Sequence, residues 1–316
     1  MEKKRIGNSE LETAPIVFGG NVFGWTIDES TSFDLLDAFV DAGYNAIDTA
    51  DVYSTWVPGH RGGESEEIIG KWLKRRGRRD DVLILTKVGS EMGPDRKGLS
   101  GAYIFQAVED SLRRLQTDTI DLYQSHRDDA ATPVEETLDA YTRLVEQGKV
   151  RAIGASNFSA ARLAESLDAS AAQDLAPYVS LQPNYNLCDR SEFEGEVADL
   201  CVRRGLGVIP YFSLAAGFLT GKYRSEADFS KSARGNGMGR YLDARGLEIL
   251  AALDDVSKDL GATQAQIALA WLIAKPAVTA PIASATNLAQ LAELVKAPSV
   301  RLSPQHVARL DAASAY

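Results

Sequence analysis

Eight short apolar runs, separated by longer amphipathic segments, constrain the fold more than any other feature of this sequence. Such runs are typical of strands that are buried on both faces of a parallel sheet. Eight strand–helix units in 316 residues predict a (β/α)8 TIM barrel, as a single domain over residues 1–316, with an N-terminal β-hairpin and extra C-terminal helices. The predicted strands are 16–18, 46–48, 82–87, 120–123, 150–154, 179–182, 207–210 and 278–282.

A doubly wound sheet is the rival architecture. Its first strand is normally followed by a G-x-G-x-x-G turn that binds phosphate. Residues 19–24 follow the first run here and read GGNVFG, which lacks that spacing, so the barrel is favoured. Helix N-caps are predicted at Ser100, Thr132 and Ser159.

Charge and cysteine content narrow the partners and the compartment. The net charge of −10 argues against a nucleic-acid partner and disfavours docking on anionic membranes, and no apolar run reaches membrane-spanning length. Cys188 and Cys201 are too few for a disulfide framework, so we expect free thiols in a reducing cytoplasm. Residues 1–5 are charged and no apolar stretch follows them, so no signal peptide is predicted. No metal-ligand spacing is present, and the sequence carries no signal for or against an oligomer.

Four polar residues fall where strands of the predicted barrel end. Asp48 ends the second strand, Tyr53 follows it in the loop, Lys87 ends the third strand, and His126 follows the fourth. Active sites of such barrels form at the carboxyl ends of the strands, and consecutive strands are neighbours. We therefore expect Asp48, Lys87 and His126 to converge, with Tyr53 folded back over them.

These four side chains suit proton donation to a carbonyl oxygen. A free tyrosine phenol has a pKa of about 10, and a neighbouring ammonium such as that of Lys87 is expected to lower the pKa of Tyr53. Asp48 would keep Lys87 charged, and His126 would orient the carbonyl oxygen. Singly, each residue is explained as well by packing or capping, and only their joint placement favours a site. His60 and His306 are expected at the surface.

Longer segments carry a resemblance to a known family. They read AGYNAIDTADVY (42–53), GESEEIIG (63–70), TK (86–87), IDLYQSH (120–126) and GKVRAIGASNF (148–158). In order and spacing the chain resembles the aldo-keto reductases over essentially its whole length, in particular the bacterial branch related to potassium-channel β-subunits. The resemblance implies reduction of aldehydes and ketones by NAD(P)H, with Tyr53 as general acid, Asp48 and Lys87 tuning it, and His126 orienting the substrate.

The resemblance also implies a dinucleotide bound across the barrel mouth. Ser156, Asn157 and Gln182 would hold the nicotinamide carboxamide, and Tyr211 would stack on the ring. Residues 212–222 match the family's pyrophosphate loop, and the irregular stretch 220–245 is expected to cover the cofactor. The implied cofactor residues are Gly20, Asn21, Ser156, Asn157, Gln182, Tyr211, Phe212, Ser213, Leu214, Gly217, Leu219, Lys222, Ser284, Ala285, Thr286 and Gln290.

The choice between the two dinucleotides depends on the segment after the eighth strand. Ser284-Ala285-Thr286-Asn287 opens a helix there, and helix N-termini attract phosphate. Many relatives have glycine where Ser284 stands and arginine where Thr286 stands. NADP(H) is favoured, and NAD(H) remains possible because that arginine is missing.

The substrate is expected to meet Trp25, Trp56 and Arg127 at the mouth of the barrel, where the aromatic side chains suit a moderately apolar carbonyl compound. Two other functions compete with reduction. One is a dinucleotide-binding module that reports redox state with slow turnover. The other is a lyase in which Lys87 forms a Schiff base, which is disfavoured because Asp48 should keep Lys87 protonated.

Overall fold

A closed barrel of eight parallel strands forms the centre of the computed structural model, which describes residues 2–316. An antiparallel hairpin, β1 (Lys4–Arg5) and β2 (Glu12–Thr13), precedes it. The barrel strands are β3 (Val17–Gly19), β4 (Ala46–Asp48), β5 (Leu83–Val88), β6 (Ile120–Ser125), β7 (Val150–Ser156), β8 (Tyr178–Gln182), β9 (Gly207–Val208) and β10 (Ile282–Ala283). Met1, which the single-domain prediction includes, lies outside the described residues.

Backbone hydrogen bonds join each strand to its neighbour around the barrel. Strands β3 to β9 pair in chain order, and β10 pairs with β3. Between β9 and β10, the Thr279 amide donates to the Val208 carbonyl at 2.8 Å and the Ile282 amide to the Pro210 carbonyl at 2.9 Å. These bonds close the ring and confirm the predicted (β/α)8 fold, and the antiparallel pairing of β1 with β2 confirms the predicted N-terminal hairpin.

Ten α-helices cover the barrel and extend beyond it in the described part of the chain. They are α1 (Glu29–Asp41), α2 (Glu64–Arg76), α3 (Gly101–Leu115), α4 (Val134–Glu146), α5 (Ala160–Gln173), α6 (Glu196–Arg204), α7 (Ala244–Leu260), α8 (Gln264–Ile273), α9 (Leu288–Leu294) and α10 (Pro304–Ala313). None of them is long and apolar enough to cross a membrane.

Two of the three predicted N-caps are confirmed. Ser100 and Ser159 each accept a hydrogen bond from the amide three residues ahead. The prediction for Thr132 is wrong, because Pro133 occupies the N-cap of α4 and the Thr132 hydroxyl donates instead to the Asp129 carboxylate at 2.7 Å.

Other predictions differ in detail. Both histidines expected at the surface are half-buried, and His306 closes a capping box at the start of α10 by accepting from the Ser303 amide. The stretch 220–245 is not irregular throughout, since it contains 3-10 turns at Glu226–Lys231 and Gly235–Arg240. Cys188 and Cys201 are free and buried, and burial raises the pKa of each thiol to about 12.

Strand periodicity decides which side chains point into the barrel. On β5, Leu83 and Leu85 belong to the apolar cluster inside the barrel, whereas Ile84 packs outward under the helices. Successive strand residues alternate between faces, so Lys87 is the next inward side chain after Leu85. The barrel interior thus changes from apolar to polar at its carboxyl end, where the site lies.

Candidate active site

A buried ion pair forms the floor of the site. The Lys87 ammonium donates to Asp48 Oδ2 and to the Thr49 carbonyl, each at 2.7 Å, and to the Tyr53 hydroxyl at 3.3 Å. Lys87 is 0% and Asp48 2% exposed. All three ammonium donors thus have acceptors, and the Asp48 charge is compensated where water is excluded.

Two glutamines hold the other oxygen of Asp48. Gln182 Nε2 lies 2.8 Å and Gln124 Nε2 lies 3.4 Å from Asp48 Oδ1, and Gln182 Nε2 is also 3.2 Å from Gln124 Oε1. Sequence reasoning missed Gln124. Strand alternation could have predicted that its side chain points into the barrel, because Gln124 follows the inward-facing Leu122 by two residues. In the structure Gln124 is paired with Lys87 across β5 and β6.

The pKa of each partner follows from burial and from this pairing. Burial alone would lower the pKa of Lys87, but Asp48 and Tyr53 outweigh it, so the pKa is raised and the amine is charged. The expected lowering of the Tyr53 pKa is wrong for this arrangement. Burial of the phenol raises the pKa of Tyr53, and the opposing effect of Lys87 does not offset it. The Tyr53 hydroxyl therefore stays protonated at neutral pH and is available as a donor.

His126 faces the cavity from the end of β6, with its ring centroid 6.0 Å from that of Tyr53. Burial, Lys87 and Arg127 together hold the pKa of His126 well below its usual range. The imidazole is therefore neutral. Nδ1 is buried and has no hydrogen-bond partner among residues 2–316.

An open cavity of about 830 Å³ lies above these residues at the carboxyl ends of the strands. Trp25 and Trp56 form an aromatic wall on one side, packed edge to face at 5.6 Å, and Trp56 packs against Tyr53 at the same distance. Arg127 also lines the cavity, so all three residues predicted for the substrate pocket are brought together there.

Thirteen of the sixteen residues expected at the cofactor line the same cavity. These are Asn21, Ser156, Asn157, Gln182, Tyr211, Phe212, Ser213, Leu214, Gly217, Lys222, Ser284, Thr286 and Gln290. Gly20, Leu219 and Ala285 do not line it. Leu219 and Ala285 are 0% exposed and pack in the core, and Gly20 is buried with its carbonyl bonded to Ser65.

Comparison with known proteins agrees with this architecture. The model of the Aldo/keto reductase family matches residues 15–315. The chain belongs to the aldo-keto reductases. It is 34% identical to a probable voltage-gated potassium channel subunit beta of Arabidopsis thaliana (95% of this chain, 92% of that protein) and 35% identical to the uncharacterized oxidoreductase YrpG of Bacillus subtilis (98% and 95%). It is also 35% identical to the aldo-keto reductase YhdN of Bacillus subtilis (93% and 88%).

Membership supports an NAD(P)H-dependent oxidoreductase that acts on a small carbonyl compound. It agrees with the resemblance to the potassium-channel β-subunit branch, since both a plant channel subunit and bacterial reductases are among the relatives.

The loop after β9 has an unusual backbone conformation in this aldo-keto reductase. Phe212, Ala215 and Ala216 have φ of 52°, 47° and 53°, a left-handed conformation that is uncommon for residues with a Cβ. The buried Asn186 side chain donates to the Phe212 carbonyl at 3.0 Å and helps to hold the first of them. Such local strain is found most often at functional sites.

The same loop is suited to an anionic, ring-bearing group. Gly217, at φ 105°, leaves the backbone open to close approach, and no carboxylate among residues 2–316 pairs with the Lys222 ammonium, which lies 5.1 Å from the Tyr223 ring centroid. Tyr211 stands at the mouth with its hydroxyl bonded to Asn157 Oδ1 at 2.8 Å. These features fit a nicotinamide dinucleotide.

The hydroxyls after β10 are already engaged. Ser284 Oγ lies 2.7 Å from the Gly19 carbonyl and 2.8 Å from Asn21 Oδ1, and the Thr286 amide and hydroxyl both donate to Gln290 Oε1. A cofactor phosphate here would have to exchange these bonds, and it would find no arginine at position 286.

Proposed function

We propose that the chain reduces an aldehyde or ketone to the alcohol with NADPH, or with NADH as the alternative, and that Tyr53 is the proton donor. One observation carries the proposal: the Tyr53 hydroxyl lies at the cavity, bonded to a lysine that a buried carboxylate keeps charged. A nicotinamide dinucleotide held in this cavity would supply the hydride for the carbonyl carbon.

The protein groups act on the carbonyl oxygen. Tyr53 donates its proton to that oxygen as negative charge develops there. Lys87 stabilises the resulting phenolate at a distance of 3.3 Å, and Asp48 holds the ammonium in place. The neutral His126 imidazole donates a hydrogen bond to the same oxygen and so orients the substrate.

Ser156, Asn157 and Gln182 would hold the carboxamide of the nicotinamide, and Tyr211 would lie against the ring. Lys222 and the backbone amides near Gly217 would meet the pyrophosphate. We favour NADPH over NADH from the general preference of the family. Affinities for both dinucleotides, measured by quenching of tryptophan fluorescence, test that choice, and tighter binding of NADH would reverse it.

Steady-state oxidation of NADPH with a panel of small aldehydes tests the reaction itself. Turnover that depends on the aldehyde, with the alcohol identified as product, is expected. Binding of the dinucleotide without turnover on any member of the panel would instead support the redox-reporting module.

The Schiff-base lyase is disfavoured by the state of Lys87. A nucleophilic amine must be unprotonated, whereas Asp48 and Tyr53 raise the pKa of Lys87. Borohydride treatment in the presence of an aldehyde should leave Lys87 unmodified, as measured by mass spectrometry of tryptic peptides. Trapped substrate on Lys87 would support the lyase.

A further inference from the structure

A second buried ion pair lies behind the first, between the barrel and its helices. Glu66 is fully buried in the first turn of α2, and its Oε2 accepts from Arg114 Nε of α3 at 2.7 Å. Its Oε1 accepts from the Thr86 hydroxyl at 2.6 Å. Thr86 is buried on β5 directly before Lys87. The second ion pair is therefore held to the strand one residue away from the ammonium that Tyr53 contacts.

The residue before Glu66 reaches the other side of Lys87. The Thr49 hydroxyl donates to Ser65 Oγ, and Ser65 Oγ donates to the Gly20 carbonyl, each at 2.8 Å. The Thr49 carbonyl is the backbone acceptor of the Lys87 ammonium, at 2.7 Å. The first turn of α2 thus holds both the chain neighbour of Lys87 and its backbone acceptor, and it lies outside the cavity.

Arg114 supports the loop that carries Tyr53. A Cβ at Gly63 would overlap the Arg114 side chain, so the arginine packs directly on the Gly63 backbone. The Gly63 amide donates to the Tyr53 carbonyl at 2.8 Å. Glu66 is thereby connected through one partner to the strand of Lys87 and through the other to the loop of Tyr53.

The charges around this connection balance in pairs. Asp48 compensates Lys87, and Glu66 compensates Arg114. Asp51 lies near both pairs, and burial and the Glu66 charge raise its pKa, so it is neutral. A buried ion pair is often no more stabilising than apolar side chains of the same volume. What Glu66 provides beyond apolar packing is direction, because each of its oxygens accepts a bond from a different element.

We propose that Glu66 is a positioning residue for the reduction. Through its two partners it sets the distance between the Lys87 ammonium and the Tyr53 hydroxyl. That distance is 3.3 Å, against 2.7 Å for each of the other two ammonium bonds, so a small retreat of Lys87 would break this bond first. A displacement of about 1 Å can cost about a hundredfold in rate. The inference rests on the proposed function.

The test removes the hydroxyl that connects Glu66 to β5. Thr86→Val keeps the branched shape without the hydroxyl, and Thr86→Ser restores the hydroxyl. Arg79→Met is the matched control, because it breaks an ion pair to another buried carboxylate, that of Asp121, at the opposite end of the barrel.

We expect Thr86→Val to lower the single-turnover rate of NADPH oxidation at saturating aldehyde at least about tenfold. The NADPH affinity and the aldehyde concentration that gives half the maximal rate should stay within about threefold. Thr86→Ser and Arg79→Met should keep the native rate within about threefold. Should Thr86→Val fail to fold, Arg114→Lys is the second variant: it keeps the cation, lacks Nε and should give the same pattern.

A measurement without turnover separates this inference from the proposed function. In protein labelled with ¹³C at tyrosine Cζ, the Tyr53 resonance is identified by its loss in Tyr53→Phe. Because the Lys87 ammonium donates to this phenol, the resonance should move in Thr86→Val and stay in place in Thr86→Ser and Arg79→Met.

An unmoved resonance or a native rate in folded Thr86→Val would overturn the inference and leave the reductase intact. An equal loss of rate in Arg79→Met would attribute the effect to stability and would also overturn it. If the native protein turns over no aldehyde, the proposed function fails, and the resonance alone decides whether Glu66 sets the contact between Lys87 and Tyr53.

Discussion

Replacing Tyr53 with phenylalanine removes the proposed acid and almost nothing else. The hydroxyl makes one hydrogen bond, to Lys87 at 3.3 Å, and Lys87 keeps its bonds to Asp48 and Thr49 at 2.7 Å. No buried charge is left alone. The free energy of unfolding should therefore fall by at most about 1 kcal/mol, which lowers Tm by about 2 °C in a chain of this size.

The effect on turnover should be far larger. A positioned general acid contributes about 10² to 10⁴ in rate, which is about 3 to 5 kcal/mol of activation free energy. Loss of NADPH absorbance with an aldehyde substrate measures turnover, and fluorescence quenching measures the dinucleotide affinity, which should stay within about threefold, a change below about 0.7 kcal/mol.

Tyr44→Phe is the matched control. The Tyr44 hydroxyl donates to the Val295 carbonyl at 2.7 Å, away from the cavity, so its loss should affect stability and leave turnover unchanged. If Tyr53→Phe retains more than about a tenth of the native kcat, a loss below about 1.4 kcal/mol, then Tyr53 is not the acid.

Three further outcomes follow from titratable groups that are buried in the folded protein. Lys87→Met leaves Asp48 buried without its cation, so the free energy of unfolding measured in urea should fall by about 3 to 5 kcal/mol. The double variant with Asp48→Asn should recover part of that loss. An unchanged midpoint of unfolding in Lys87→Met would contradict the ion pair. Asp51 is 1% exposed with both carboxylate oxygens unpartnered, and burial raises its pKa well above the usual range. Native stability should thus fall as pH rises above about 4, by up to about 1.4 kcal/mol per pH unit, and Asp51→Asn, a neutral mimic, should be the more stable protein at pH of about 8 in parallel urea titrations. Burial lowers the pKa of His126, so as pH falls the unfolded chain binds a proton at this histidine before the folded chain does, and stability is lost below about pH 6.5. In a plot of Tm against pH, His126→Gln should flatten that part of the curve. A curve identical to that of the native protein would show that His126 is not buried in its neutral form.

The part of the site that lies on the barrel strands, here called the rigid half, was predictable because strand geometry determines where its side chains point. Asp48 is the last residue of β4 and Lys87 the last but one of the neighbouring β5, and alternation along each strand directs both side chains inward. Apolar runs therefore sufficed to bring them together. The Tyr53 pKa was not predictable in the same way. Burial of the phenol raises the pKa of Tyr53, and the nearby Lys87 ammonium lowers it. Which effect is larger depends on the burial of the phenol and on its distance from the ammonium, and only the structure gives these quantities.

Gln124 and Gln182 belong to the same rigid half, and they change how Asp48 should be understood. Sequence reasoning gave the carboxylate one partner, Lys87. In the structure its second oxygen accepts from both amides, so Asp48 is fixed from two sides. Gln182 thus has two tasks in the proposed mechanism, since it also borders the cavity where the carboxamide would lie.

Arg234 lines the cavity from the segment after β9, where no helix or strand periodicity in the sequence predicts the position of a side chain. Its position depends on how the segment after β9 packs on itself: Tyr223 is hydrogen-bonded to Ser232, and a Cβ at Gly235 would overlap the Phe229 carbonyl. Glycine is therefore required directly after Arg234, and it lets the turn close tightly enough to aim the guanidinium at Trp25. The strands thus supply the groups proposed for the chemistry, and this segment supplies a guanidinium on the wall of the cavity. Changes in residues 220–243 should consequently alter this wall of the cavity before they alter the fold of the barrel.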